Sequence, residues 1–359
     1  MTSDLDVVTG AFSYSGAAIA RNLQACGRRV RTLTGHPDRA PADTAIEARP
    51  LDFADPAGLR SSLRGARTLY NTYWVRFAHG SISHEIAVAN SRALFLAAAE
   101  AGVQRIVHTS ITHPDADSPY PYFRGKAAVE QALADLGVPH AVLRPSILFG
   151  GSGVLINNIA WLLRRLPVFA VGGTGGYRVR PIHVDDLARL ATAAGASAET
   201  SVIDAVGPDR PTFLDLVTQI RDAVGSRSQV IRVPGSLIPP AAALLGAAVR
   251  DTLLTAEEYH AMADGLADTD GPATGETSLI EWIIEHSGTL GRSYANELTR
   301  HFRSGGKSKD RFLPNGPWYH ARGRPIVPGW SEPGRADAQA PSQGPSDVRR
   351  RRPRGACRP

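Results

Sequence analysis

Residues 5–16 read LDVVTGAFSYSG, and the fold turns on this stretch. An apolar run ends at Thr9-Gly10, glycine returns at Gly16, and a helical pattern follows over Ala17–Cys26. That is the layout of a strand, a tight turn and a helix start. The first turn of a helix has N–H groups without intrahelical partners and the positive end of the macrodipole, so it can hold a pyrophosphate. Glycine lets backbone and ligand approach closely. The segment is therefore expected to hold NAD or NADP. Ser13 stands where the middle glycine of a Gly-x-x-Gly-x-x-Gly turn falls. It fits if its φ is negative, and its hydroxyl can then reach a phosphate. The plainer reading is a glycine turn that serves geometry alone.

Working outward, strand-like and helix-like segments alternate through residue 145. Strands are predicted at Leu5–Thr9, Val30–Thr34, Ala45–Leu51, Thr68–Thr72, Arg105–Ser110 and His140–Leu143. Helices are predicted at Gly16–Cys26, Pro56–Leu63, Ile82–Ala101 and Phe123–Leu136. This alternation implies an α/β fold, a Rossmann-type doubly wound parallel sheet covered on both faces, with ligands at the carboxyl ends of the strands. Past Gly150 the pattern loosens. Pro181–Leu190 reads as a strand end running into a helix, Gln229–Val233 as a short strand, and 212–302 as mostly helical. The expected organisation is a dinucleotide-binding domain over 1–150, a smaller, mostly helical substrate lobe over 151–302 interleaved with it, and a disordered Arg/Pro-rich tail over 303–359.

Charge supports that division. The chain of 359 residues has a net charge of +6, but residues 303–359 hold 13 basic and 4 acidic side chains, leaving −3 for the rest. The same stretch holds 9 of the 26 prolines, too polar a composition to form a core. Nucleic-acid binding by Arg349–Arg352 is not expected, and a salt-sensitive basic arm is the outside alternative. Cys26 and Cys357 form no metal-ligand spacing and no disulfide framework, so no metal is expected and the reading is cytoplasmic. No signal peptide is expected, because the first apolar stretch is only Leu5–Val8 and follows Asp4. No apolar run approaches the ~18 residues of a membrane span, so no membrane partner is expected. Val154–Leu163 and Leu237–Val249 read as buried helices.

Chemistry gathers after the fifth strand, at Thr109-Ser110. Tyr122-Phe-Arg-Gly-Lys126 follows, and i and i+4 share a helix face. Lys126 is expected to lower the tyrosine pKa by its charge. Such a tyrosine exchanges a proton with a substrate oxygen while hydride moves to or from a nicotinamide, and Ser110 can hydrogen-bond that oxygen. Tyr120 lies nearby, but only Tyr122 has a lysine four residues on.

These features carry a resemblance. Thr9-Gly10-x5-Gly16, Leu51-Asp52-Phe53, Asn90-x3-Leu94, Gly102-Val103-x-Arg105-Ile106-Val107-His108-Thr109-Ser110, Tyr122-x3-Lys126, Leu143-Arg144-Pro145-Ser146 and His183-Val184-Asp185-Asp186-Leu187-Ala188 occur in order. Over about 5–300 the chain resembles the short-chain dehydrogenase/reductase superfamily, in its extended or atypical branch, near the NmrA-like and NAD-dependent epimerase/dehydratase-like proteins. The resemblance implies that Gly10, Phe12, Ser13, Tyr14 and Gly16 line the pyrophosphate, and that Asp52 and Phe53 approach the adenine. It implies that Asn71, Thr72 and Thr109 border the cofactor, that Lys126 also orients its ribose, and that Pro145, Ser146 and Ile147 meet the nicotinamide end. Tyr122, Lys126, Ser110 and Asn90 form the implied catalytic set. A monomer or homodimer is expected. The implied activity is that of an NAD(P)-dependent oxidoreductase or epimerase/dehydratase acting on a carbonyl or alcohol carbon of a small molecule. The alternative is an NAD(P)-binding regulator or accessory subunit without turnover. His183–Asp186 reads as a turn capped by Asp185 or Asp186.

At the end of strand two no acid follows directly. Thr34, His36, Arg39 and Arg31 can meet a 2′-phosphate, so NADP is favoured, while Asp38 keeps NAD open. Trp74, Arg76 and Phe77 after strand four, with Arg178 and Arg180 across the cleft, are candidate substrate residues. The equal alternative is that Trp74 and Phe77 fill the gap between lobes.

Overall fold

The computed structural model describes residues 4–78, 82–151 and 153–296, and the side chain of Arg39 and the tail read at 303–359 lie outside that description. β1 (Leu5–Thr9), β2 (Arg29–Thr34), β3 (Glu47–Pro50), β4 (Thr68–Asn71), β5 (Arg105–Thr109), β6 (His140–Pro145) and β10 (Ser201–Ala205) form one sheet. Its order is β10-β6-β5-β4-β1-β2-β3, and every pairing is parallel. The strand order reverses between β1 and β4, which opens a crevice at their carboxyl ends. β1 is buried on both faces, so successive residues feed different cores. Val8 packs with Ile19 and Leu23 of α1 (Tyr14–Ala25) and Leu187 of α6 (Val184–Ala196). Val7 packs with Leu63 of α2 (Pro56–Leu63), Leu94 of α3 (His84–Glu100) and Leu133 of α4 (Pro121–Asp135).

Residues beyond 150 build a second core and also return to the first sheet. The short pair β7 (Leu148–Phe149) and β9 (Ile182–His183) leads into α6, and β10 closes the sheet edge beside β6. Arg105 in β5 ties α6 down by donating to the carbonyls of Ala194 at 2.6 Å and Glu199 at 2.7 Å. The second core joins α5 (Val154–Leu163), α7 (Phe213–Ala223) and α10 (Leu279–Glu285) to the strand pair β8 (Val168–Gly172) and β11 (Gln229–Val233). Two further helices, α8 (Ile238–Val249) and α9 (Ala256–Ala263), complete the lobe.

Three expectations are corrected here. β10 was not read, because SVIDA is short and its outer face is open to solvent. The turn before α6 is capped by His183, whose Nδ1 accepts from the Asp185 amide at 3.2 Å. The Asp186 carboxylate is buried and instead accepts the amides of Glu276 and Thr277 at 3.0 and 2.8 Å. Finally, α5 is buried as expected, but the only buried residue of α8 is Gly246. By contrast, Glu47, Arg49 and Pro50 sit in β3 without conflict, because β3 is the sheet edge.

Gly16 fixes how closely α1 approaches the turn. A Cβ there would lie 2.2 Å from the Gly10 carbonyl oxygen. Gly16→Ala is expected to lower stability by about 1–3 kcal/mol in urea titrations. Gly35→Ala, with nothing within 4 Å of a Cβ, is expected to change it by less than ~0.5 kcal/mol. Equal effects at the two positions would contradict the close approach.

Candidate active site

The turn after β1 is shaped by its own atoms. Gly10 sits at φ 66°, the left-handed region that favours glycine. Ser13 takes φ −97° and ψ 177°, so a side chain is tolerated where a glycine was expected. Its hydroxyl donates to the Gly10 carbonyl at 2.6 Å. The first intrahelical bond of α1 runs from Ala17 N–H to Ser13 O at 2.8 Å, so the amides of Tyr14, Ser15 and Gly16 precede the ladder. No acid occupies that first turn. The Tyr14 hydroxyl reaches across to the Gly150 carbonyl at 2.8 Å, joining the turn to the loop after β7, and Phe12 beside it is half-buried.

Around the rim, Thr34 Oγ1 accepts from the His36 amide at 3.2 Å, at the end of β2. Arg39 lies in the following short turn, Pro37–Arg39. The Arg31 guanidinium is held by Glu47 at 2.7 Å and by the carbonyls of Ser62 and Arg64 at 2.9 and 3.2 Å. Asp52 is exposed and caps the Ala54 amide at 2.9 Å. Phe53 packs on Tyr73 with ring centroids 5.0 Å apart, and Asn90 donates to the Tyr73 hydroxyl at 2.8 Å. Asn71 is fully buried: its amide donates to His108 Nδ1 at 3.1 Å, and its oxygen accepts from Thr9 at 3.2 Å and from the Tyr73 amide at 3.1 Å. Thr72 is bonded to Thr9 through its amide and its hydroxyl, at 2.7 and 2.6 Å.

Beside this crevice lies an aromatic slot. Trp74 folds from the loop after β4 onto Gly125 of α4, where a Cβ would meet the indole at 2.9 Å. His84, the first residue of α3, stacks on the indole with centroids 5.8 Å apart and planes 8° apart. The Tyr122 ring meets both edge-on, at 5.7 and 5.6 Å. Lys126 Nζ lies 4.6 Å from the Trp74 ring centroid and donates to the Thr109 carbonyl at 3.0 Å. Ser110 is buried, its amide donating to Leu143 O at 2.7 Å. Three buried polar atoms of this slot, Ser110 Oγ, Trp74 Nε1 and His84 Nδ1, have no hydrogen-bond partner among the described residues. Unsatisfied buried groups cost free energy, and in a cleft they mark where a ligand supplies the bond.

The short helix α9 straps onto this cluster. Glu257 accepts from the Tyr122 amide at 2.8 Å, and Glu258 pairs with Arg76 at 2.6 Å. Neither acid, nor His84, was singled out from the sequence. The only local signal at α9 is Thr255-x-x-Glu258, which forms a capping box and marks a helix start, not a contact 135 residues away.

The electrostatics reverse one expectation. Burial pushes the Tyr122 phenol above its ordinary value, Glu258 and Glu257 add to this, and Arg76 opposes it. Lys126 does not lower it, because the lysine is itself buried and brought down to about 7. Burial also holds His84 below its ordinary value, against the pull of Glu257 and Glu85.

The substrate-side arginines carry bonds within the protein. Arg180 is buried, and its donors are taken by the carbonyls of Gly207 at 3.1 Å, Thr269 at 2.8 Å and Gly271. Arg178 donates to Arg210 O at 2.8 Å. Phe77 lies under the Arg76 guanidinium, 5.7 Å from ring centroid to Cζ. Pro145 is buried and accepts from the Thr112 amide at 3.0 Å, Ser146 donates to the Arg180 carbonyl at 2.6 Å, and Ile147 O accepts from the Ile182 amide at 2.9 Å.

No protein-family model matches the chain. An uncharacterised protein of Mycobacterium tuberculosis is 28% identical over 229 residues, 63% of this chain. The chain spans only 24% of that relative's length. The 40 kDa subunit of mitochondrial NADH-ubiquinone oxidoreductase from Neurospora crassa is 22% identical over 215 residues, covering 58% of this chain and 56% of the subunit. Among solved structures, the triphenylmethane reductase of Citrobacter sp. aligns with TM-score 0.66 and 18% identity, over 79% of this chain and 98% of that one. The NADPH-dependent quinone oxidoreductase of Escherichia coli, complexed with NADPH, aligns with TM-score 0.64 and 21% identity, over 79% and 99%. At these identities the likeness establishes the fold.

Burial of Lys126 has a measurable signature. Between about pH 7 and its ordinary 10.5, the unfolded chain holds a proton that the folded chain has released, so stability rises with pH. Urea titrations from pH 7 to 9.5 are expected to show a slope approaching about 1.4 kcal/mol per pH unit that Lys126→Met removes. The same slope in both proteins would contradict a buried, released lysine.

Proposed function

We propose that this chain, built on the fold it shares with the triphenylmethane reductase and quinone oxidoreductase structures, is an NADP(H)-dependent oxidoreductase acting at a carbonyl or alcohol carbon of a small molecule. The observation that carries this reading is Tyr122 and Lys126 on one face of α4, both against Trp74, with the buried Ser110 hydroxyl at the end of β5 unpartnered among the described residues.

The residues present fit a dinucleotide. The amides of Tyr14, Ser15 and Gly16 would hold a pyrophosphate, and the turn takes this shape because Gly10 and Gly16 carry no side chain. His36 and Thr34, at and after the end of β2, would meet a 2′-phosphate, and no carboxylate follows β2 directly. When bound, a reduced nicotinamide supplies a hydride. Lys126 can turn its amine from the Thr109 carbonyl toward the ribose hydroxyls. Ser110 hydrogen-bonds the substrate oxygen. Tyr122 is protonated at neutral pH because burial and two carboxylates hold its proton, so it serves as the donor in the reducing direction.

The slot favours an uncharged, flat substrate. Trp74, His84 and Tyr122 give the site an aromatic wall, while Arg76 and Arg180 are engaged by protein acceptors. The solved neighbours are named for quinone and triphenylmethane substrates. In this reading residues 151–302 supply the substrate lobe, through α9.

A second reading has its own support. The Trp74 indole touches both Tyr122 and Lys126, and relatives include subunits of NADH dehydrogenase complexes in Neurospora crassa and Arabidopsis thaliana. This favours a dinucleotide-binding accessory subunit without turnover.

NADPH consumption against a panel of quinones and aromatic carbonyls separates the two. Turnover is expected, with Tyr122→Phe lowering kcat by about 10²–10⁴-fold and leaving NADPH affinity within about threefold. Full activity in Tyr122→Phe would contradict the proton-donor role. Tight NADPH binding without consumption of any panel member would establish the second reading instead.

A further inference from the structure

Leu244 in α8 is the most exposed large apolar side chain among the described residues, at 75%. The helix reads IPPAAALLGAAV and carries no charged or hydrogen-bonding side chain. A helix that is apolar all round belongs in a core or against lipid, yet here only Gly246 is buried. The elements packed beside it extend the patch. Leu237 in the turn entering α8 is 53% exposed, Val168 of β8 40% and Ile231 of β11 41%. Such contiguous apolar exposure marks an interaction surface.

The rim of the patch identifies the partner. Residues 224–250 contain Arg227, Arg232 and Arg250 and no aspartate or glutamate. All three arginines are exposed, and no ion pair engages them among the described residues. The flanking acids are neutralised or buried: Asp222 pairs with Arg221 at 2.7 Å, and the buried Asp251 accepts from the Tyr294 hydroxyl at 2.7 Å. An apolar helix flanked by three exposed arginines, with Glu257 and Glu258 of the adjoining α9 held by the Tyr122 amide and by Arg76, matches the interface of an anionic bilayer, where the helix meets the acyl boundary and the arginines meet headgroup phosphates. Its 12 residues span about 18 Å, too short for a ~30 Å hydrocarbon core, so it lies on the membrane without crossing it. Consistent with this, no described helix is long and apolar enough to cross a membrane.

We propose that the α8 face docks on the surface of an anionic phospholipid bilayer. Co-sedimentation of the full chain with phosphatidylcholine vesicles, with and without phosphatidylglycerol, tests this. Binding is expected with phosphatidylglycerol and much less without it. Leu244→Glu and, separately, Leu237→Glu are expected to lower the partition coefficient by roughly tenfold or more. Arg232→Gln and Arg250→Gln are expected to lower it by about fivefold each, in a salt-dependent way. Replacing Arg349–Arg352 with glutamine is expected to leave most of the binding in place. Both leucines are exposed, so these variants are expected to melt within about 2 °C of the parent. The proposal is overturned by no binding at low salt, by binding indifferent to both leucine variants, or by binding carried entirely by Arg349–Arg352. It is equally overturned if light scattering shows a dimer that Leu244→Glu splits in the absence of lipid, because the face then belongs to a second copy.

Discussion

Thr9 holds the crevice together. It ends β1, where the sheet reverses direction, and it bonds to the two residues that end and follow β4. Its hydroxyl donates to Asn71 and accepts from the Thr72 amide, while its carbonyl accepts from the Thr72 hydroxyl. Asn71 carries the connection into β5 through His108. That imidazole is kept neutral, because burial holds it well below its ordinary value. Neighbouring parallel strands could otherwise splay at this end, where the ladder stops. The network is desolvated, so each bond is strong and each missing partner would be costly. With the strand ends fixed, the loops that leave them have defined directions.

Two consequences follow on either side of this latch. On one side, Gly10 turns the chain and Gly16 brings the start of α1 against the turn, so that the amides of Tyr14, Ser15 and Gly16 stand ahead of the helix ladder. On the other, the loop after β4 delivers Trp74 onto α4 and Arg76 onto α9. The groups between them are buried, and their chemistry comes from that burial. A buried amine at Lys126 and a firmly protonated phenol at Tyr122 are opposite responses to the same loss of water, since burial disfavours the charged form of each. The Glu257 and Glu258 carboxylates sharpen the second effect.

Much of the fold was legible because the signals were local. Leu5–Thr9, Pro56–Leu63 and Gln229–Val233 match the observed elements residue for residue, since an apolar run between breakers, or a proline at a helix start, needs no distant partner to be understood. The glycine turn and the Tyr122/Lys126 face were legible for the same reason. What escaped depends on residues far apart in the chain. The guanidinium of Arg180 was read as a substrate contact because nothing nearby in sequence shows that the carbonyls of Gly207, Thr269 and Gly271 converge on it. The strap acids Glu257 and Glu258 act on a tyrosine more than 130 residues earlier. The apolar run of α8 was read as core, because composition tells how a helix wants to be covered and not whether this chain covers it.

The proposal that everything rests on is that the first-turn amides of α1 hold the pyrophosphate of a nicotinamide dinucleotide. Hydrogen exchange resolved to single amides, with and without NADPH, tests it most directly. The account predicts slowed exchange at Tyr14, Ser15 and Gly16 on adding NADPH. Unchanged exchange at these three amides under saturating NADPH, with protection elsewhere or nowhere, would contradict it.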